Sequence, residues 1–191
     1  SKPVPIAPES EGGIQGLGGH RLLITGENGE YAFGEKHAVI GLSVGTNGVC
    51  VFENASRYRP ARLSVERPIE DWTHLALVYR GGAPHLYLGG SLVRSTAASR
   101  YAVHPSGAVG RGPVAFDGQV DDLRIVGRAL TDAEIAALTK AGARERSDPA
   151  RLPAIELERA DDGRLVATVS ENGRYALRTA DGRTRDLSVD S

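Results

Sequence analysis

The chain contains no methionine, one cysteine and one tryptophan in 191 residues. With even the initiator missing, it reads as a processed product or an excised piece of a larger gene, Ser1 being a cleavage scar. A lone Cys50 excludes an intrachain disulfide framework and a cysteine-based zinc cluster. Flanked by Val49, Val51 and Phe52, it reads as a small apolar residue on a strand rather than a nucleophile. No apolar run approaches the ~18 residues of a membrane span, and no signal peptide is visible. Neither charge sign is in excess: 23 Lys and Arg stand against 24 Asp and Glu, for a net charge of -1. Nothing therefore drives non-specific binding to nucleic acid. Lysine occurs only at positions 2, 36 and 140, against 20 arginines, a bias expected of a GC-rich genome rather than of a binding chemistry.

What is present is turn-forming sequence between short apolar runs. The chain is 40% hydrophobic, enough for one core or for one core plus a small satellite. Its 24 glycines and 10 prolines make it turn-rich without reaching the composition of disorder. Residues 1–19 read as an N-terminal arm or linker. Strands are expected at Arg21–Thr25, His37–Val44, Val49–Glu53, Leu63–Glu66, Trp72–Arg80, His85–Leu88, Ser91–Ser95, Val114–Phe116 and Gln119–Gly127. Asn47-Gly48 signals a type I′ hairpin turn, which needs positive φ at both central residues. About nine strands with turns every 8–12 residues argue for an all-β antiparallel β-sandwich or jelly roll. One short C-terminal helix is expected over Ala129–Lys140. Thr131 is its N-cap, Glu134 closes a capping box, Leu130, Ile135 and Leu138 form the apolar stripe, and Gly142 stops it.

The jelly roll thus spans 20–142 and a polar linker 143–152. Residues 153–191 form a small β-meander, with runs at Ala154–Glu158, Leu165–Ser170 and Tyr175–Thr179 between Asp-Gly and Asn-Gly turns. Some forty residues cannot easily bury a core alone. The meander therefore packs on the first domain or is the truncated start of a following one.

No catalytic motif stands out. There is no G-x-S-x-G elbow and no P-loop, and the five histidines (20, 37, 74, 85 and 104) show no metal-ligand spacing on a helix. His74 alternates with Trp72, Ala76 and Val78, which places it as a hydrogen-bonded structural histidine and Trp72 in the core. Glu156 and Glu158 alternate as a glycosidase pair would, but in the satellite, so they read as a solvated strand face.

Four segments carry a family resemblance. Asp71-Trp72-Thr73-His74-Leu75-Ala76-Leu77-Val78-Tyr79 resembles the W-x-H-x-A-x-x-Y strand of laminin-G-like jelly rolls, within the concanavalin-A-like lectin/glucanase superfamily. His85-Leu86-Tyr87-Leu88-Gly89-Gly90 resembles the L-Y-x-N-G hairpin, with Gly89 where Asn is usual. Phe116-Asp117-Gly118-Gln119-Val120-Asp121-Asp122-Leu123-Arg124-Ile125 is similar to F-x-G-x-I-D-E-v-r-I. Arg128-Ala129-Leu130-Thr131-Asp132-Ala133-Glu134-Ile135 is similar to the closing R-A-L-S-x-x-E-I. A narrower resemblance, through Gly45–Val49, Glu53 and Tyr58-Arg59-Pro60-Ala61, is to jelly-roll modules of large bacterial glycoside hydrolases. The tail around Glu171-Asn172-Gly173-Arg174-Tyr175 and Asp181-Gly182 is similar to α-L-rhamnosidase-like enzymes.

The resemblance implies two curved antiparallel sheets face to face, a sugar- or protein-binding role, and often a structural Ca²⁺. It does not imply catalysis, because the E-x-D-x-x-E strand of the catalytic relatives is absent. The function expected is a non-catalytic carbohydrate-binding module of a secreted bacterial enzyme, extracellular or periplasmic, holding a polysaccharide or oligosaccharide near a covalently linked catalytic domain. The alternative is a structural or protein-interaction spacer. Sugar recognition needs planar hydrogen-bonding groups and an aromatic face. The candidates are Asn47, Glu53, Asn54, Tyr58, Arg59 and Arg62. Against this, Asn47 also fits as a mere turn residue, and Tyr58 and Arg59 as cover for a sheet edge. For Ca²⁺ the candidates are Asp117 and Asp121, and Asp121 fits equally as a backbone partner where a strand begins.

Overall fold

Two β-rich runs around Gly45 and Gly48 fold back on each other as β2 (His37–Gly45) and β3 (Gly48–Asn54), the middle strands of one sheet. The computed structural model describes residues 2–10, 12–14, 16–56, 59–106, 108–110, 115–146, 155–159, 165–169, 173–178 and 184–189. They divide into two compact units, Ser1–Gly142 and Ala143–Ser191.

In the first unit, β1 (Leu22–Ile24), β2, β3 and β4 (Ala61–Glu66) form an antiparallel sheet in that order. A fifth strand, β8 (Ala102–His104), joins the free part of β2 in parallel, with Val39 opposite His104. The second sheet is the antiparallel meander β5 (Leu75–Arg80), β6 (Ala83–Leu88) and β7 (Ser91–Ser95). Alternation sorts the side chains. Leu42, Val44, Val49, Val51 and Leu63 of the first sheet meet Leu86 and Leu88 of the second in the main core, with Leu75 and Leu77 packed against it. This is the expected all-β antiparallel sandwich, its sheets packed face to face.

β3 is buried along its whole length, because its other face is covered as well. Cys50, Phe52 and Ala61 lie under the N-terminal arm, packed with Ala7, Ile14 and Leu17. The proline-rich arm is therefore a packed outer layer, not a free linker. Its residues cannot donate a full ladder of hydrogen bonds, so it is held at points. Thr46 donates its N–H to the Lys2 carbonyl, and Ile14 and Arg59 exchange backbone bonds. The outer face of the second sheet receives α2 (Asp132–Arg146), whose fully buried Ile135 packs on Val78 and Tyr87. Arg80 and Tyr87 both bond Asp132 at 2.7 Å. Thr131 and Glu134 make the expected capping box, the Thr131 hydroxyl accepting from the Glu134 N–H and the Glu134 carboxylate from the Thr131 N–H.

Several expectations are corrected. Gly142 does not stop α2, which continues to Arg146; one helical glycine costs only ~1 kcal/mol. A five-residue helix, α1 (Gly29–Phe33), stands between the strands expected at Arg21–Thr25 and His37–Val44, because the Asn28 side chain accepts from the Tyr31 N–H and caps it. Gln119–Gly127 forms no ladder. Asp122 has φ 51, a left-handed kink that breaks the alternation, and its carboxylate binds Arg124 at 2.7 Å. Of the run Val114–Phe116, Val114 lies outside the described residues, and Ala115 makes one isolated bridge to Leu22. β5 begins at Leu75, three residues after Trp72. Asp71 accepts from the Trp72 N–H in a local turn, so Trp72 leaves the strand alternation and is 47% exposed rather than core. His74 does serve as a structural histidine, its Nδ1 2.8 Å from the Thr139 hydroxyl of α2.

In the second unit, β9 (Ile155–Arg159) pairs with β10 (Leu165–Val169), and β11 (Gly173–Arg178) with β12 (Thr184–Val189), each antiparallel. Among the described residues these are two separate hairpins rather than one continuous meander. Their expected turns lie wholly or partly outside the described residues, as do 147–152 of the expected linker.

Candidate functional site

Glu53 follows Val49 and Val51 on the inner face of β3, so alternation carries a carboxylate into the space between the sheets. It is 0% exposed. Tyr79 of β5 donates its hydroxyl to Oε1 at 3.1 Å, and Ser99 donates to Oε2 at 2.6 Å. A β-bulge between Val51 and Phe52 in the β3–β4 pairing aims Arg62 inward, its Nε 3.6 Å from Oε2. Arg62 also donates to the carbonyls of Ala97 and Ala98. Burial pushes the Glu53 carboxyl above its usual range, against the hydroxyl of Ser99, the Arg62 charge and the Tyr79 hydroxyl. Burial, and then the Glu53 charge, push Tyr79 well up. Two of the expected sugar contacts, Glu53 and Arg62, thus come together, but inside the sandwich as a polar pin between its sheets.

The other candidates lie apart. Asn47 does not occupy the left-handed region. Gly45 pairs with Gly48, so the loop is Thr46-Asn47 and the expected type I′ turn at Asn47-Gly48 does not form. Gly48 takes the unusual backbone instead, at φ 149, where a Cβ would lie 2.1 Å from the Val65 carbonyl oxygen. The Asn47 side chain clamps the arm, accepting from the Val4 N–H and donating to the Val4 carbonyl, both at 2.8 Å. Asn54 is buried and donates to the Gly26 carbonyl. Arg59 bridges the arm through its backbone. Tyr58 lies outside the described residues.

Asp117 and Asp121 stand on an exposed loop, Asp117 3.8 Å from the Lys2 ammonium. Ca²⁺ takes ~6–8 oxygen ligands. Two carboxylates, one facing an ammonium, do not fit that shell, and no group of three or more His, Cys, Asp or Glu suited to a metal is found among the described residues. Cys50 is buried against the Ser64 hydroxyl and the Ala7 carbonyl, and burial pushes its thiol up, away from the reactive thiolate.

An open groove of about 380 Å³ lies between the arm and the sandwich, lined by Ile6, Ala7, Pro8, Glu9, Ser64, Glu66 and Arg94. Glu9 accepts from Arg94 Nε at 2.6 Å and from the Ser64 N–H at 3.1 Å. The Arg94 hydrogen bond holds the Glu9 carboxyl below its usual range. A carboxylate–guanidinium pair beside a second carboxylate presents planar, multidentate hydrogen-bonding groups to a polar ligand. Sequence reasoning missed this set. Glu9 and Arg94 are 85 residues apart, and only the arm's course over β4 and β7 unites them; no local spacing signals it.

Residues 17–136 match the laminin-G-type family model of the Concanavalin A-like lectin/glucanases superfamily. Comparison with the curated proteins gave no match. Among solved structures, an S-layer domain-containing protein (residues 221–444) from Clostridium thermocellum ATCC 27405 is similar at 19% identity and a TM-score of 0.32. The similarity covers 52% of this chain and 55% of that one, so the chain spans about half the length of that relative. The family match extends over more than half of the chain, from the loop before β1 into the first turn of α2. The chain therefore belongs to the laminin-G-type family of the concanavalin A-like lectin/glucanase superfamily.

Proposed function

We propose that this chain is a non-catalytic carbohydrate-binding module that holds a polysaccharide or oligosaccharide outside the cell, in the service of a catalytic domain covalently linked to it in a larger bacterial carbohydrate-active protein. Family membership supports the lectin-like class, and the groove supports binding over cleavage. A glycosidase needs one carboxyl kept protonated as a general acid, with its pKa raised. In the groove, Arg94 shifts Glu9 the opposite way and keeps it ionised. Among the described residues the one carboxyl raised by burial, Glu53, is enclosed by Tyr79, Ser99 and Arg62 and is closed to a glycan. Glu9, Glu66, Ser64 and Arg94 instead suit sugar hydroxyls. Binding at such a shallow polar surface is weak, because little net free energy survives desolvation. Tethering to a catalytic domain makes weak binding useful by raising effective concentration.

Co-sedimentation with insoluble xylan and cellulose, with reducing ends assayed in the supernatant, tests this reading. Retention in at least one pellet with no release of reducing ends is expected. Release of reducing ends that Glu9→Gln abolishes would overturn it.

A further inference from the structure

The N-terminal arm lies on the first sheet as a peptide ligand lies on its receptor. Pro3, Pro5 and Pro8 fix φ at about −65°. Each also pushes the residue before it, Lys2, Val4 or Ala7, into extended backbone. A segment so constrained favours polyproline II, which has about three residues per turn and no internal hydrogen bonds. Burial follows that period. Val4 is 3% and Ala7 6% exposed, and Ser10 is half-buried, whereas Pro3, Pro5 and Pro8 stand in solvent. The arm thus rests on one edge of the helix.

The seat matches that edge turn by turn. Gly45 makes room for the start of the arm: a Cβ there would lie 2.7 Å from the Lys2 carbonyl oxygen and 2.8 Å from Val4 Cγ2. Asn47 takes both the N–H and the carbonyl of Val4. One turn on, the Ala7 carbonyl accepts from the Ser64 hydroxyl, and Ala7 joins Cys50, Phe52 and Ala61 in one apolar cluster. A further turn on, the Ser10 N–H donates to the Ala61 carbonyl. Phe52 is the aromatic floor, held in place by the His20 ring, edge to face with centroids 5.0 Å apart. At positions 4, 7 and 10 the seat therefore meets backbone groups and small side chains. It reads conformation and spacing rather than one particular sequence.

We propose that this face of β3 and β4, with Gly45 and Asn47 at its end, is a docking seat for a proline-rich polyproline II segment of a partner protein, and that the arm fills it as a ligand in cis. The partner segment carries a small apolar residue at every third position among prolines, as Val4 and Ala7 stand in this chain. Such a segment is already ordered before it docks, so little entropy is lost when it takes the place of the arm. The arm of a second copy makes only the contacts that the tethered arm already makes, without the tether's high effective concentration, and does not displace it. The seat is independent of the carbohydrate-binding reading.

A fluorescent synthetic peptide with the sequence of residues 2–10 tests it, its binding followed by anisotropy on the full chain carrying Val4→Asp, which releases the arm and leaves the seat intact. Saturable binding at or below about 1 mM is expected, lost when Gly45→Ala is added. The same peptide with its three prolines replaced by glycine is expected to bind at least about tenfold more weakly, as its unbound state is less ordered. In the unmodified chain labelled with ¹⁵N, unlabelled peptide at about 10 mM, above the millimolar effective concentration of a tethered segment, should move the Val4 and Ser10 amide resonances toward those of a free arm. No saturable binding to a folded Val4→Asp chain, or equal affinity for the glycine peptide, overturns the proposal. Should Val4→Asp not fold, arm resonances unmoved by the peptide in the unmodified chain overturn it instead. Sedimentation velocity of the unmodified chain should show a monomer; a dimer that the peptide disperses makes a second copy the occupant and overturns the partner claim.

Discussion

Removing the Glu53 carboxylate tests whether the pin between the sheets is structural. Glu53→Ala deletes the acceptor of Tyr79 and Ser99 and leaves Arg62, whose side chain is 13% exposed, facing an empty space. Each hydrogen bond to a charged group is worth ~1.5–3 kcal/mol, and stranding one partner of a buried pair costs ~3–5 kcal/mol in all. These figures describe the same loss and do not add. With a urea m-value of about 2 kcal/mol/M, a loss of about 4 kcal/mol lowers the midpoint by about 2 M. Glu53→Leu combined with Arg62→Met recovers most of that, to within ~2 kcal/mol of the unmodified chain, because the stranded charge is gone and what remains is the loss of an acceptor for the Tyr79 and Ser99 hydroxyls. The pH dependence has a definite sign. Burial raises the Glu53 pKa in the folded state, so the folded chain binds this proton more tightly than the unfolded one. The contribution is fully present below the ordinary glutamate range and is lost as pH rises through the raised value. The stability of the unmodified chain relative to Glu53→Gln should therefore fall as pH rises above the ordinary glutamate range. A Glu53→Ala loss below ~1 kcal/mol, or a difference that grows with pH, would refute the reasoning.

Other outcomes follow from single contacts. Asn47→Ala removes both bonds to Val4 and should cost ~1–2 kcal/mol while speeding proteolysis within residues 2–10, as read by mass spectrometry. Cys50 should react with a thiol reagent only on the timescale of unfolding, as its burial and raised pKa require. Thr131→Ala should cost ~1 kcal/mol as a lost N-cap. The Glu134 carboxyl is held at about 2 by Arg128 and then by the Thr131 N–H and hydroxyl. Its contribution is present above the ordinary glutamate range and is lost as pH falls through about 2, so acid titration of Glu134→Gln against the unmodified chain should show the difference vanishing there.

The strands legible in the sequence are those whose pattern is local. β2, β3, β5, β6 and β7 show alternation or apolar runs bounded by glycine turns, and α2 carries its own cap in Thr131 and Glu134. What was not legible depends on distant partners. β8 is three residues long and exists because it finds the edge of β2 more than sixty residues earlier in the chain. Trp72 looked like core because it keeps the parity of Ala76 and Val78, but the Asp71 turn ends the strand before reaching it. Even that parity marks the face under α2, whereas Leu75, Leu77 and Tyr79 face the other sheet. The candidate site shows the same division. Glu53 and Arg62 lie near each other in sequence and do meet, but alternation and a bulge turn them inward. The groove joins Glu9 to Arg94, 85 residues apart, which no spacing rule reaches.

The decisive measurement is isothermal calorimetry of the full chain with soluble xylan, mixed-linkage β-glucan and rhamnogalacturonan, with and without Ca²⁺, repeated with Arg94→Ala. A module that holds glycans without cutting them gives saturable heat with at least one polysaccharide, a dissociation constant of roughly 0.01–1 mM as shallow polar sites allow, several-fold weaker binding for Arg94→Ala, and no drift from hydrolysis. Absence of saturable heat with every polysaccharide under both conditions, or a continuing hydrolytic heat, would contradict it.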